Sequence, residues 1–581
     1  MSTRTRIATP RRPRLAGAVV AAVATLLAAG APALRAENFA VGPGCTYTTI
    51  ASAVLAAWLT SGDDVIKITA DLTNQSPILD DFKPSVRGKV TIRGGYTSCD
   101  DTSASGRSVV DGVTSQPVFR VQTSSQSESR VILENLEIRG GARGAAVTGG
   151  GHLTLNNVLV TDNEGGGVAV TDGTLVTNGS TTIEVNGWSG PIVPPTGGGI
   201  DCFGGNLDLA GRVENNHAEL GAGLAMLSGC LGELRPGFVL YANNATSNGG
   251  GIYLSGPSVL IGNGNGNAIS IHSNLATRGG GLYATGAGAV VALQDSQVLD
   301  NIAELAGGGV YALTGPQISL LRGVGCSTGS RCNTLEGNSL TNEGEGSAVY
   351  AWNAFVQLRQ QRVDDHQAVF QSTNQPSLLY VRGNDGELWL ENLAIWNNRA
   401  TELIWAVDGA SVIGGYLSTA RNSYGATVGL ASSYVLVTSA SASFYSSIFW
   451  DHQGFFLGGS SPALANDCLI VSSTTGVPIG SSFISTANPQ FLDADGGNLH
   501  LPSSSPAVDY CDEFAYPWPG APDFDGQTRN VDYPTNPNGS PGVGGGRYDI
   551  GFDEVQTGAP SWIFSDDFES GNVSNWSSHH P

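Results

Sequence analysis

Lysine is nearly absent from this 581-residue chain: Lys67, Lys83 and Lys89 are the whole supply. Phosphate-backbone binding depends on clustered lysine and arginine that release counterions. With 28 basic residues against 50 acidic ones and a net charge of -22, the chain is not expected to take nucleic acid or an anionic membrane surface as partner. Charge of either sign is scarce, at 13% of residues, yet 40% of the chain is hydrophobic and it holds 10 Trp, 16 Tyr and 18 Phe. That apolar content excludes a disordered acidic tail. Beyond residue 30 no run approaches ~18 uninterrupted apolar residues, so no transmembrane span is expected in the mature chain. No cysteine pair has the C-x-x-C spacing, so no zinc site is expected.

Six arginines stand near the start. Arg4, Arg6, Arg11, Arg12, Arg14 and Arg35 flank an Ala, Val, Leu and Gly stretch from Leu15 to Gly30, with no acid among the first 36 residues. A charged segment, a short apolar core and a small-residue exit make a secretory signal, with cleavage expected after Ala33 or Ala36. Export permits disulfides. Spacing cannot choose among the 105 pairings of Cys45, Cys99, Cys202, Cys230, Cys326, Cys332, Cys468 and Cys511. Sequential pairing is the expectation, with Cys326 and Cys332 closing a small loop.

Glycine is abundant instead, 80 residues in all, with no three-residue period that would make a collagen. Triplets begin at Gly165, Gly197, Gly249, Gly279 and Gly307, with variants at Gly221 and Gly346. A short apolar run follows each, as in Ile252-Tyr-Leu254, Leu282-Tyr-Ala284 and Val310-Tyr-Ala312. An apolar residue also stands three positions before an asparagine, at Val160/Asn163, Val213/Asn216, Tyr241/Asn244, Ile271/Asn274, Val298/Asn301 and Ile395/Asn398. Upstream of several of these lies a bend residue between two short strands: Asn135, Asn157, Asp295 or Asn392. Strand, bend, strand, asparagine turn, glycine turn and strand make one coil of a solenoid. Asparagine and aspartate tolerate a left-handed backbone, and asparagines stacked at about 4.8 Å can form hydrogen-bonded ladders. Helices disfavour so much glycine. The expected fold is all-β, a parallel β-helix, right-handed because parallel crossovers nearly always are.

Solenoid ends need covering. Ile50, Val54 and Trp58 behind Thr48 or Thr49 predict a helical N-terminal cap. The expected divisions are a signal at 1–36, the β-helix with its cap at 37–470, a C-terminal capping region at 471–558 and a tail at 559–581.

These repeats resemble the pectin-lyase-like right-handed β-helix superfamily over residues 40 to 470, and within it bacterial surface proteins with polymorphic-outer-membrane-protein repeats. Tyr241-Ala-Asn-Asn244 followed by Gly249-Gly-Gly-Ile252 is the nearest copy of that repeat; elsewhere Val or Ile replaces the aromatic. Residues 488 to 555 resemble the C-terminal region of choice-of-anchor β-helix proteins, through Asn488-Pro-Gln-Phe491, Ser505-Pro-Ala-Val-Asp509, Asp523-Phe-Asp-Gly526 with Arg529, and Asp549-Ile-Gly551. The tail Ile563-Phe-Ser-Asp-Asp-Phe-Glu-Ser-Gly571 with Trp576 is similar to a short sorting tail of exported Gram-negative proteins. Together the resemblances imply an extracellular or outer-membrane surface location.

Catalytic sets of the resembled enzymes are incomplete. There is no Gly-His-Gly and no Arg-Ile-Lys; the histidine beside a glycine pair is His152. Asp364-Asp365-His366 reads as a polar turn after Arg362, and Trp450-Asp451-His452 as a strand end. Asp493 with Asp495, and Asp523 with Asp525, have the alternation of a calcium loop without completing an EF-hand. Turns of this kind form without metal, so calcium stays open there. No catalytic, cofactor or metal residue is assigned, and no cofactor is expected. The expected function is a monomeric adhesin, passenger or glycan-contacting scaffold, meeting carbohydrate or a host or neighbouring cell surface. The alternative is a lyase or hydrolase of acidic polysaccharide, with acid and base on adjacent coils.

Overall fold

The computed structural model describes residues 37–80, 88–123, 129–188, 193–326, 332–368, 376–423, 433–450, 463–477, 481–511, 522–529, 531 and 548–556. The signal, the Asp451–His452 pair and the tail at 559–581 lie outside them. The described chain is a parallel β-solenoid of three sheets, with 27, 13 and 5 strands, and every pairing between its strands is parallel.

One coil shows how the sequence builds it. Ile252–Ser255 lies in the 13-stranded sheet, Val259–Asn263 and Ile269–His272 in the 27-stranded sheet, and Leu275–Arg278 in the 5-stranded sheet. Gly279 then turns the chain with φ 63°, a conformation glycine takes without steric cost. Gly281 has a different reason: a Cβ there would lie 2.7 Å from the Gly309 carbonyl oxygen and 3.0 Å from Asn301 Nδ2. Only the first glycine of this triplet is needed for its backbone angle; the third is needed for close approach. Ala348 holds the equivalent of the third position in the coil where His366 takes the asparagine's place.

Coils stack in register, so alternate residues form columns. Ile252, Leu282, Val310 and Val349 pair in sequence and point inward, fully buried or nearly so. The intervening residues Tyr253, Tyr283, Tyr311, Tyr350 and Tyr380 stack with centroids 4.6–5.3 Å apart. Burial pushes the phenols of Tyr283, Tyr350 and Tyr380 up to about 12.

The expected bends at Asn135, Asn157, Asp295 and Asn392 all have positive φ. The asparagine ladder forms as well, with one correction of register. In the Tyr241 coil its member is Asn243, not Asn244; Leu240 is the inward residue three positions before it. Asn186, Asn338 and Asn422 also belong to the column. Each asparagine Nδ2 reaches a carbonyl of the preceding coil, and successive side chains bond at 2.9–3.1 Å from Asn163 to Asn338. The left-handed angle falls on the residue before the ladder asparagine, which can be Val185, Ala242 or Ser273.

Thr49 caps the helix Ile50–Trp58, accepting from Ser52 N–H. Its buried stripe is Ile50, Ala53, Val54 and Ala57, while Trp58 faces outward. The helix packs on the first two strands, Asn38–Val41 and Asp64–Ile68. All four disulfides are sequential: Cys45–Cys99, Cys202–Cys230, Cys326–Cys332 and Cys468–Cys511. Parallel pairing continues past residue 470, since Ser482–Ser485 adds to Ala463–Val471.

The region after Asn488 folds back on the side of the solenoid. Tyr416, Ile448, Cys468 and Ile470 meet Leu501, Ala507, Val508, Tyr548 and Ile550 in one apolar cluster. Cys511, disulfide-bonded to Cys468, ties the two parts covalently.

Candidate functional site

The open groove lies on the 5-stranded sheet. It crosses strands Asn244–Asn248, Leu275–Arg278, Ile302–Ala306 and Ser339–Leu340, and encloses about 400 Å³. Its depth has a sequence cause: Ala245 and Ala276 stand where larger side chains would fill the floor, backed by Ala218 and Ala222. Asn244, Thr246, Thr277, Thr341 and Asn342 line it, with Leu275 as the apolar contact. Glu304 is the carboxylate among the lining residues, and its oxygens are taken by Asn342 Nδ2 at 3.0 Å and Thr277 Oγ1 at 3.5 Å. One coil away Trp188 stacks on His217, centroids 4.3 Å apart, with its indole half exposed. Such a surface offers amides, hydroxyls, an apolar step and an aromatic face, and no lysine or arginine lines it.

A second, buried cluster forms where residues 498–556 meet the solenoid. Arg529 spans the joint. Its Nη2 donates to Asn392 Oδ1 and to the carbonyls of Gly551 and Phe552, Nη1 lies 3.6 Å from Glu554, and the guanidinium sits 3.6 Å over the Tyr416 ring. Asn392 Nδ2 donates to Pro522, Gln360 to Asp523, Arg322 to Phe524 and Trp396 to Ala494, each onto a carbonyl oxygen. Beside this joint His500 lies between Asn498 Oδ1, 2.6 Å from Nδ1, and Asp525 Oδ2, 2.9 Å from Nε2. Both partners accept, an arrangement that favours the protonated ring. Burial alone would lower His500, but Asp553 and Asp525 outweigh it and raise the group to about 9. Burial pushes Asp523 up to about 7 and raises Asp549 well above the usual carboxylate range, with Glu554 adding to the effect on Asp549.

The residues singled out from sequence scatter. Asp364, Asp365 and His366 diverge. Asp364 is fully buried and bound to Arg362 Nε at 2.6 Å, and burial pushes it up to about 7. Asp365 accepts from Asn397. His366 replaces an asparagine in the ladder: its N–H donates to Asn398 Oδ1, and its ring nitrogens lie 3.1 and 3.2 Å from the carbonyls of Asn338 and Leu335. Burial holds it down to about 4, so the ring is neutral. Glu336 sits in register with Asp364, and with Asp365 their oxygens gather within 4.8 Å. Asp364 is in register with Trp396, and Gly497 lies against Trp396 and Arg362. Asp493 closes a turn with Asn498 and Gly496, and Asp495 pairs with Arg421. Asp525 does come together with His500 and Asp553, a partnership no spacing in the sequence announces, while Asp523 accepts from Gln527 N–H in the adjoining turn. His152 lies in register with Arg130 and Thr174. Trp450 donates its backbone N–H to Thr419 and accepts from Tyr434.

Fold and groove define a disulfide-linked parallel β-solenoid with a polar surface cleft and a folded-back C-terminal region. No protein-family model matches the chain, and no curated protein is similar to it.

Proposed function

We propose that this chain is an exported cell-surface β-solenoid that acts without catalysis, as an adhesin, passenger or scaffold that contacts glycans. The observation that carries the reading is the groove's lining: the amides and hydroxyls of Asn244, Thr246, Thr277, Thr341 and Asn342 on adjacent coils, with Leu275 between them and the Glu304 carboxylate beside them. Sugar hydroxyls need donors and acceptors in a fixed array and an apolar patch for the ring face. Strands at roughly 4.8 Å spacing give an array about 14 Å across, room for about three sugar rings. Because the lining has no cation, the reading favours neutral over acidic chains. The resemblances to outer-membrane repeat proteins and choice-of-anchor regions, and the signal-like first 36 residues, support the surface location.

The test is binding of the mature chain to immobilised neutral and acidic polysaccharides, beside Thr277→Trp, which fills the groove. Retention on a neutral glycan, lost in Thr277→Trp with an unchanged circular dichroism spectrum, is the expected result. Release of unsaturated or reducing sugars by the wild type would replace this reading with a lyase or hydrolase.

A further inference from the structure

We propose that His500, Asp525, Asp553 and Asp523 form a divalent-metal site that pins the C-terminal region into one conformation. The donor atoms of His500, Asp525 and Asp553 lie within 4.8 Å of one another. Ligand bonds of about 2.0–2.2 Å place ligand atoms roughly 3–4 Å apart around zinc, so small side-chain rotations complete the shell. Asn498 Oδ1 accepts a hydrogen bond from His500 Nδ1–H, which leaves Nε2 as the ligand atom; metal-bound histidines are held this way by an acceptor on the far nitrogen.

Asp523 supplies an independent indication. It is fully buried; its Oδ1 accepts from Gln527 N–H, and its Oδ2 is buried with no hydrogen-bond partner. It stands two residues before Asp525 in one tight turn, in which Gly526 N–H donates to the Asp523 carbonyl. An unsatisfied buried carboxylate oxygen is costly, and a cation is the partner that removes the cost. Three carboxylates share one imidazole here, and Arg529, whose hydrogen bonds go to Asn392, Gly551 and Phe552, is the second cation that acts on Asp523 and Asp553.

A nitrogen donor among carboxylates selects a zinc-class ion over calcium, which takes six to eight oxygens. The absence of C-x-x-C pairs does not bear on a site built from histidine and aspartate. Binding forms the metal–Nε2 bond as the Nε2 proton leaves to solvent, with no change of oxidation state. The ligands come from three stretches, at 500, 523–525 and 553, so the ion ties segments that the chain separates.

The experiment loads the chelator-stripped mature chain with Zn²⁺ or Co²⁺, and measures stoichiometry, affinity and the visible spectrum of the cobalt form. One ion per chain is expected, with Kd weakened a hundredfold or more in His500→Ala and about 10–100-fold in Asn498→Ala, which keeps every ligand. Circular dichroism and thermal melting establish that each variant is folded. No stoichiometric binding to the wild type, or binding equally tight in both folded variants, overturns the proposal. Calcium bound in preference to zinc overturns the assignment of ion class.

Discussion

In the coils from Asn163 to Asn338 the buried polar column is neutral and repeated; between residues 498 and 556 it is charged and each member is different. A solenoid satisfies a buried amide with the next copy of itself, so one residue type answers the same demand coil after coil. The C-terminal region has no copies. Its Asp523, Asp549, Asp553 and Glu554 must be answered by Arg529, His500 and backbone donors, each in a single place. Repetition removes the desolvation problem cheaply, whereas an unrepeated module meets it with opposite charges whose attraction must offset the burial of both partners.

The sharpest break in that comparison is Arg529→Met. Removing one partner of a buried charge cluster costs about 3–5 kcal/mol, because the other charges stay buried. The expected result is loss of docking for residues 488–556, seen as new protease cleavage there while the coils before residue 350 resist. Equal resistance along the whole chain would show that the arginine does not hold the joint.

Asn243→Ala is the matching break in the repeat. It strips partners from the Asn216 backbone N–H, Asn216 Nδ2 and the Val213 carbonyl. At roughly 1 kcal/mol each, the loss is about 3 kcal/mol. Coils contact only their neighbours, so hydrogen exchange should quicken around residues 213–275 and not at the C-terminal joint. A uniform change along the solenoid would contradict the ladder's local role.

Glu402 blurs the comparison, and so sharpens it: this buried carboxyl lies in the 13-stranded sheet, and neither oxygen has a hydrogen-bond partner. Burial raises it from 4.5 to about 8. A raised folded-state value means its contribution to stability is complete below about pH 4.5 and is lost as pH rises towards 8. Glu402→Gln cannot ionise, so relative to the wild type it should gain about 1–3 kcal/mol between pH 5 and pH 8. The check is the difference in Tm at the two pH values; an identical difference at both would mean that the carboxyl is not held neutral.

Much of the coil was legible in the sequence because its causes are local. Gly279 marks a positive φ, Asn135 and Asn392 mark bends, and the alternation Ile252-Tyr-Leu254 assigns inward and outward faces. The tyrosine column was legible too, four residues after each triplet's first glycine from Gly249 to Gly346, though it read only as a set of strands. The ladder was legible by half. Successive members are 23, 30, 27, 31, 27 and 37 residues apart, so no fixed period finds Asn186 or Asn338, and Asn244 beside Asn243 invites a slip of one. His366 gives no signal of its place, since only the stacked column shows that an imidazole occupies an asparagine's position.

By itself the sequence determined the strand-and-turn rhythm and the parallel all-β class, because every coil repeats a short local rule and meets only its neighbours. Tertiary structure alone decided which charges are buried. Arg529 finds Asn392 from 137 residues away, and Asp525 meets His500 across 25. Whether a carboxyl is solvated, paired or poised for a cation depends on what folds over it, and that covering is a long-range event that no local pattern encodes.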